Sequence, residues 1–140
     1  MKQDISFDPV EGVSIAIVPD TAAPGAASEP QTWTVYLLNN NHTALDTVLI
    51  AAEGYGTQPT GEAVRTSTLR YHFEQIAPRS ATVVELIDPA VFHLTNQYWV
   101  SYYQGGQIFD KKFLFVPDSL VAANLIALDL LAGRPGVLHG

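Results

Sequence analysis

Between Val13 and Val116 the chain repeats one device: a short run of β-branched and aromatic residues, closed by Pro, Gly, Asn or Asp. Where such runs alternate in polarity, every second side chain points the same way, so one side of the strand is oily and the other wet. A chain written this way has to stack sheets with their apolar sides together. Val13-Ser14-Ile15-Ala16-Ile17-Val18 ends at Pro19-Asp20, and Thr32–Leu38 ends at Asn39-Asn40-Asn41-His42, a run suited to turn geometry. Asp46–Ala52 is the return strand, followed by Gly54, Gly56, Pro59 and Gly61, which read as a loop. In Arg65–Ile76, Thr66, Thr68, Arg70, His72 and Glu74 share one side, and Leu69, Tyr71 and Phe73 the other. Ala81–Leu86, Asn96–Tyr103 and Ile108–Val116 complete seven strands. Gly105-Gly106 is a tight hairpin turn, because glycine supplies the positive φ it needs. Asp88-Pro89 opens one helical turn.

The sequence therefore predicts a mainly β single domain over residues 1–140, an antiparallel immunoglobulin-like sandwich of about seven strands. Residues 19–31, rich in Pro, Ala, Gly and Ser, read as a mobile loop between two strands. After Pro117 the period changes. Leu120, Val121, Leu125, Leu128 and Leu131 form a helical stripe, widened by Ile126 and Leu130, with Asp118 or Ser119 as cap. This predicts one C-terminal helix over 118–131, ended by Gly133-Arg134-Pro135-Gly136. Val137-Leu138-His139 is then either a short extra strand or a frayed end.

Composition excludes several functions. Apolar residues at 47% against 15% charged leave no room for a disordered chain. Seven basic residues and a net charge of −7 do not make a phosphate-binding surface, so no nucleic-acid partner is expected. Cysteine is absent, which removes thiol chemistry and disulfides. No apolar run reaches the ~18 residues of a membrane span. The stretch after Lys2 is interrupted by Asp4 and Asp8, unlike a signal peptide, so a cytoplasmic location is the expectation.

No catalytic, metal or cofactor motif stands out. His42, His72, His93 and His139 are scattered without ligand spacing, although the first three are free to converge in space. Glu53, Glu62, Glu74 and Glu85 are carboxylates by type only, most simply solubilising surface residues. The serines lack a nucleophile elbow, and Gly54-Tyr55-Gly56 is not a phosphate cradle. A hydrolase would have to be built on Arg70, His72 and Glu74 lining a cleft.

The aromatic strand is the most distinctive stretch. Tyr98, Val100 and Tyr102 face one way, and Trp99, Ser101 and Tyr103 the other. One set is core. The other is a covered face, a surface for a second protein, or a stacking platform for a sugar. Lys111-Lys112 suits an edge strand, where lysine discourages sheet-to-sheet pairing.

Gly12–Ala16, Val35–Asn40, Gly54-Tyr55-Gly56, Thr66–Arg70, Tyr98–Ser101 and Phe109–Phe113 together resemble a family of short, uncharacterised bacterial β-sandwich proteins. The resemblance covers most of the chain. Some members carry the label phenylalanyl-tRNA synthetase alpha subunit. Such a core is a far larger sheet with ATP-holding arginines, which an acidic chain of 140 residues with four arginines does not supply. Leu38-Asn39-Asn40-Asn41 and the late Phe113-Leu114-Phe115 strand are more weakly similar to the β-sandwich domain accompanying Smr nuclease domains. No Smr-type catalytic motif is present, so nuclease activity does not carry over.

The expected function is a non-enzymatic interaction or assembly module without cofactor, pairing with itself or another protein through Trp99, Tyr103, Val121, Leu125 and Leu128. The alternative is a small-ligand or carbohydrate-binding sandwich using Trp99 and Tyr103, which requires Trp99 to be solvent-accessible.

Overall fold

A computed structural model describes residues 10–20 and 32–140. The fold is mainly β, with two antiparallel sheets facing each other. Ten strands are present among the described residues: β1 Val13–Pro19, β2 Trp33–Asn39, β3 Leu45–Thr57, β4 Ala63–Arg65, β5 Leu69–Ile76, β6 Ser80–Ile87, β7 Thr95–Gln104, β8 Gln107–Phe115, β9 Ile126–Leu128 and β10 Arg134–His139. Sheet A runs β6-β2-β1-β10-β9. Sheet B runs β3-β7-β8, with β4 and β5 both pairing the other edge of β3.

The main core lies between the sheets. Ile15, Ile17, Val35 and Leu37 of sheet A meet Leu45, Val48, Ile50, Tyr98, Val100, Tyr102 and Phe113 of sheet B. The expected alternation of the aromatic strand holds, and the set turned inward is Tyr98, Val100 and Tyr102. So does the hairpin, where Gly105 and Gly106 have φ of 59° and 80° between the paired Gln104 and Gln107. Asp88 caps a 3-10 turn, Pro89–Val91, as the Asp-Pro pair predicted. Most of the 19–31 stretch lies outside the described residues. Its stem is closed by Asp20, whose carboxylate accepts from the hydroxyls of Thr32 and Thr34 at 2.6 and 2.7 Å.

Two bulges adjust the rhythm. Leu45 and Val48 are both fully buried although three residues apart, an odd spacing that a regular strand would split between faces. An extra residue resolves it: the β3–β7 register slips between Asp46 and Leu49, and Thr47 takes φ 47°. In β6 the register slips between Glu85 and Val83, and Val84 and Glu85 both face the other sheet.

The C-terminal helix is not there. Residues 118–131 form a 3-10 turn at Ala122–Asn124, the three-residue strand β9 and a second 3-10 turn at Asp129–Leu131. The reason lies in β1. All six residues from Val13 to Val18 are buried, so neither edge can leave its backbone N–H and C=O groups to water. One edge pairs β2, and the chain's end supplies the other as β10, with Ile15, Ala16 and Ile17 opposite His139, Leu138 and Val137. The helical stripe did bury apolar surface, but as an irregular cover: Leu128, Leu130 and Leu131 lie on Ala16, Val18 and Leu38 over the outer side of sheet A. Gly54 and Gly56 also differ from expectation, lying within β3 rather than a loop. A Cβ on Gly56 would sit 3.1 Å from Leu94, so the missing side chain admits that buried leucine.

Candidate interaction face

Among the described residues nothing covers the outer side of sheet B, and the cross-strand registers define it row by row. Arg70, Ala51, Trp99 and Lys112 lie side by side on β5, β3, β7 and β8. The next row is His72, Leu49, Ser101 and Asp110. On the other side Glu53, Gln97 and Leu114 align, and Tyr103 pairs with Ile108 toward the hairpin. Trp99 is 43% exposed and Leu49 51%, and Tyr103, Ile108 and Leu114 are exposed as well.

Polar contacts hold these side chains in place. Asp110 accepts from the indole N–H of Trp99 and, at 2.7 Å, from the Ser101 hydroxyl. The Lys112 ammonium lies 4.4 Å from the centre of the Trp99 ring, a cation–π contact. Arg65 meets Glu53 at 2.8 Å, and Thr68 donates to the same carboxylate at 2.9 Å. Between these groups is a depression of ≈ 420 Å³, floored by Ala51 and walled by Trp99, Tyr55, Arg65, Arg70 and Gln97. Lys112 stands on β8, which among the described residues pairs with β7 alone and is an edge strand, as the lysine pair suggested.

The five residues expected to form an interface do not share one surface. Trp99 and Tyr103 stand on this face. Val121 is exposed on the link after β8, Leu125 packs partly into the main core, and Leu128 is 4% exposed inside the cluster over sheet A. The histidines do not converge. His42 precedes β3 and His93 precedes β7 at opposite ends of sheet B, roughly 30 Å apart at ~3.3 Å per strand residue, with His72 midway. Among the described residues no three His, Asp or Glu side chains form a metal-binding group. Arg70, His72 and Glu74 stand exposed on the open outer side of β5, not in a cleft.

Glu85 was missed as anything but a surface acid. Its bulge turns it between the sheets, where Tyr71 and Tyr98 donate their hydroxyls to its two oxygens at 2.6 and 2.8 Å. Burial, then the Glu85 charge, pushes the Tyr98 hydroxyl far above the usual range, and Tyr71 rises for the same reasons, burial first. The cluster ties β6 of sheet A to β5 and β7 of sheet B, beside an apolar crevice of ≈ 300 Å³ rimmed by Leu69 and Leu86. Burial also pushes Tyr102 up to about 12, and its hydroxyl has no partner among the described residues. His139, against the rings of Phe113 and Phe115, is pushed down by burial and secondarily by Lys111.

Comparison with protein-family models, curated proteins and solved structures finds no match to this chain.

Proposed function

We propose that the chain is a protein-interaction module without catalysis of its own, a sandwich of immunoglobulin-like use that presents the outer side of sheet B to a partner. The observation that carries this is the 43% exposure of Trp99 on a sheet face that also shows Leu49, Tyr103, Ile108 and Leu114. An aromatic and aliphatic centre edged by charged and amide side chains is the composition of a docking surface. Peptide selection by phage display on the wild-type protein, counter-screened on Trp99→Ala, tests it. Ligands that bind the wild type and lose the variant support the proposal; enrichment indifferent to the variant sinks it. Light scattering tests the self-pairing form of the idea. A mass above 15.2 kDa at high micromolar concentration supports it, and a strict monomer leaves docking of a different protein.

A second reading is a small-ligand or sugar site, favoured by the ≈ 420 Å³ depression beside Trp99 with Gln97, Thr68 and Arg65 around it. Screening an array of oligosaccharides separates the two, because a sugar site binds there with the same dependence on Trp99.

A further inference from the structure

We propose that the occupant of this face is an extended acidic segment of another protein, its carboxylates held by Arg70 and Lys112 and its apolar side chains resting on Trp99 and Leu49. This rests on reading the face as a docking surface, and it adds the chemistry of the partner.

Charge on the face is the first reason. Glu53 is paired with the Arg65 guanidinium and also accepts from Thr68, whereas Asp110, bonded to Trp99 and Ser101, and Asp46, bonded to Gln75 at 3.0 Å, have neutral donors and keep their charge. Glu74 has no partner among the described residues and stands four residues along β5 from Arg70, about 13 Å away. Arg70 has no hydrogen bond or ion pair among the described residues, and Lys112 meets only the Trp99 ring. The depression beside Trp99 is lined by three cations, Arg65, Arg70 and Lys112, and one carboxylate, Glu53, so its lining is net positive in a chain whose net charge is −7.

Spacing is the second reason. Arg70 and Lys112 are the ends of one row across four strands, so their backbones are about 14 Å apart at ~4.8 Å per strand. An extended chain covers that distance in about four residues. A single sugar ring does not. A second copy docked about a two-fold axis through this row would bring Arg70 of one copy to Lys112 of the other, like charge on like.

The test uses a fluorescent nine-residue peptide with glutamates four positions apart around a central leucine, its glutamine counterpart, and a labelled hexuronate oligomer. Anisotropy is read on the wild type, on Arg70→Glu/Lys112→Glu and on Trp99→Ala. Arg70 and Lys112 are exposed, so the reversal should leave the fold, read by far-ultraviolet circular dichroism, unchanged. The expected result is saturable binding of the glutamate peptide, roughly tenfold or more weaker for the glutamine peptide and for the reversed variant, and weakened by salt. The proposal falls if the two peptides bind alike, if the reversed variant binds as the wild type does, if neither peptide binds, or if the hexuronate binds tighter than the peptide. If the peptides bind alike and Trp99→Ala loses both, the docking face survives and the charge assignment fails. If Trp99→Ala binds both as the wild type does, the docking face itself is wrong.

Discussion

The two outer faces of this sandwich begin from similar material and end differently. Sheet A carries Ala16, Val18 and Leu38 on its outer side, and the chain covers them with Leu128, Leu130 and Leu131. Sheet B carries Leu49, Trp99 and Tyr103 on its outer side, and they stay in contact with water. On sheet A the outward side chains of β1 are small, Ser14 and Ala16 with Val18, and no charged side chain stands among the buried ones. On sheet B every exposed apolar group has a charged or hydroxyl neighbour in its row or the next, which keeps the face soluble without a cover. An apolar residue on an outer face is thus either sealed by the chain or fitted with polar company, and only the second kind is available to a partner.

The contrast has measurable consequences. The largest belongs to the sealed face. Leu128→Ala should cost about 2–5 kcal/mol, as truncation of a buried leucine does, read as a drop in the urea midpoint. Gly136→Ala comes next. Its new Cβ would lie 2.6 Å from Leu128 and 2.8 Å from Val18, so overpacking should cost about 1–3 kcal/mol. Trp99→Ala should cost about 1 kcal/mol or less, because the indole is half in water and its bond to Asp110 is exposed. A loss as large as that of Leu128→Ala would break the comparison and make the open face structural. Iodide should quench Trp99 and spare Trp33, which is 8% exposed; Trp33→Phe isolates the signal.

The interior supplies the smallest effects, through pH. The folded pKa of Tyr102, about 12, lies above the ordinary ~10, so its contribution is intact below pH 10 and is lost as pH rises through about 12. His139 works the other way. Its folded pKa is depressed, so its neutral form contributes above the ordinary ~6.5 and the contribution fades as pH falls below that value. His139→Phe should make the acid arm of a stability–pH curve shallower, and Tyr102→Phe should reduce the alkaline arm while leaving the part that belongs to Tyr71 and Tyr98, with the opposite arm unchanged in each case.

Much of sheet B was legible residue by residue. The alternation of Tyr98 through Tyr103 gave its faces, and Gly105-Gly106 gave its hairpin, because both rest on local geometry. The 118–131 segment was misread because a helical stripe and an irregular cover need the same leucines. Spacing alone does not show that β1 lacks a second partner. Glu85 was hidden for a related reason: a bulge reverses the inside–outside count, and nothing in Val83-Val84-Glu85 announces one. The exposed face was half visible, as one of three fates for Trp99 and Tyr103. Its row with Arg70, 29 positions before Trp99, was not.

By itself the sequence determined that this chain makes two-sided strands joined by tight turns, since backbone sterics and side-chain direction act over a few residues. Tertiary structure decided which outer face the chain would seal and which it would leave open. That choice depends on the unpaired edge of β1 capturing the last strand, a hydrogen-bonding demand that joins residues more than a hundred positions apart.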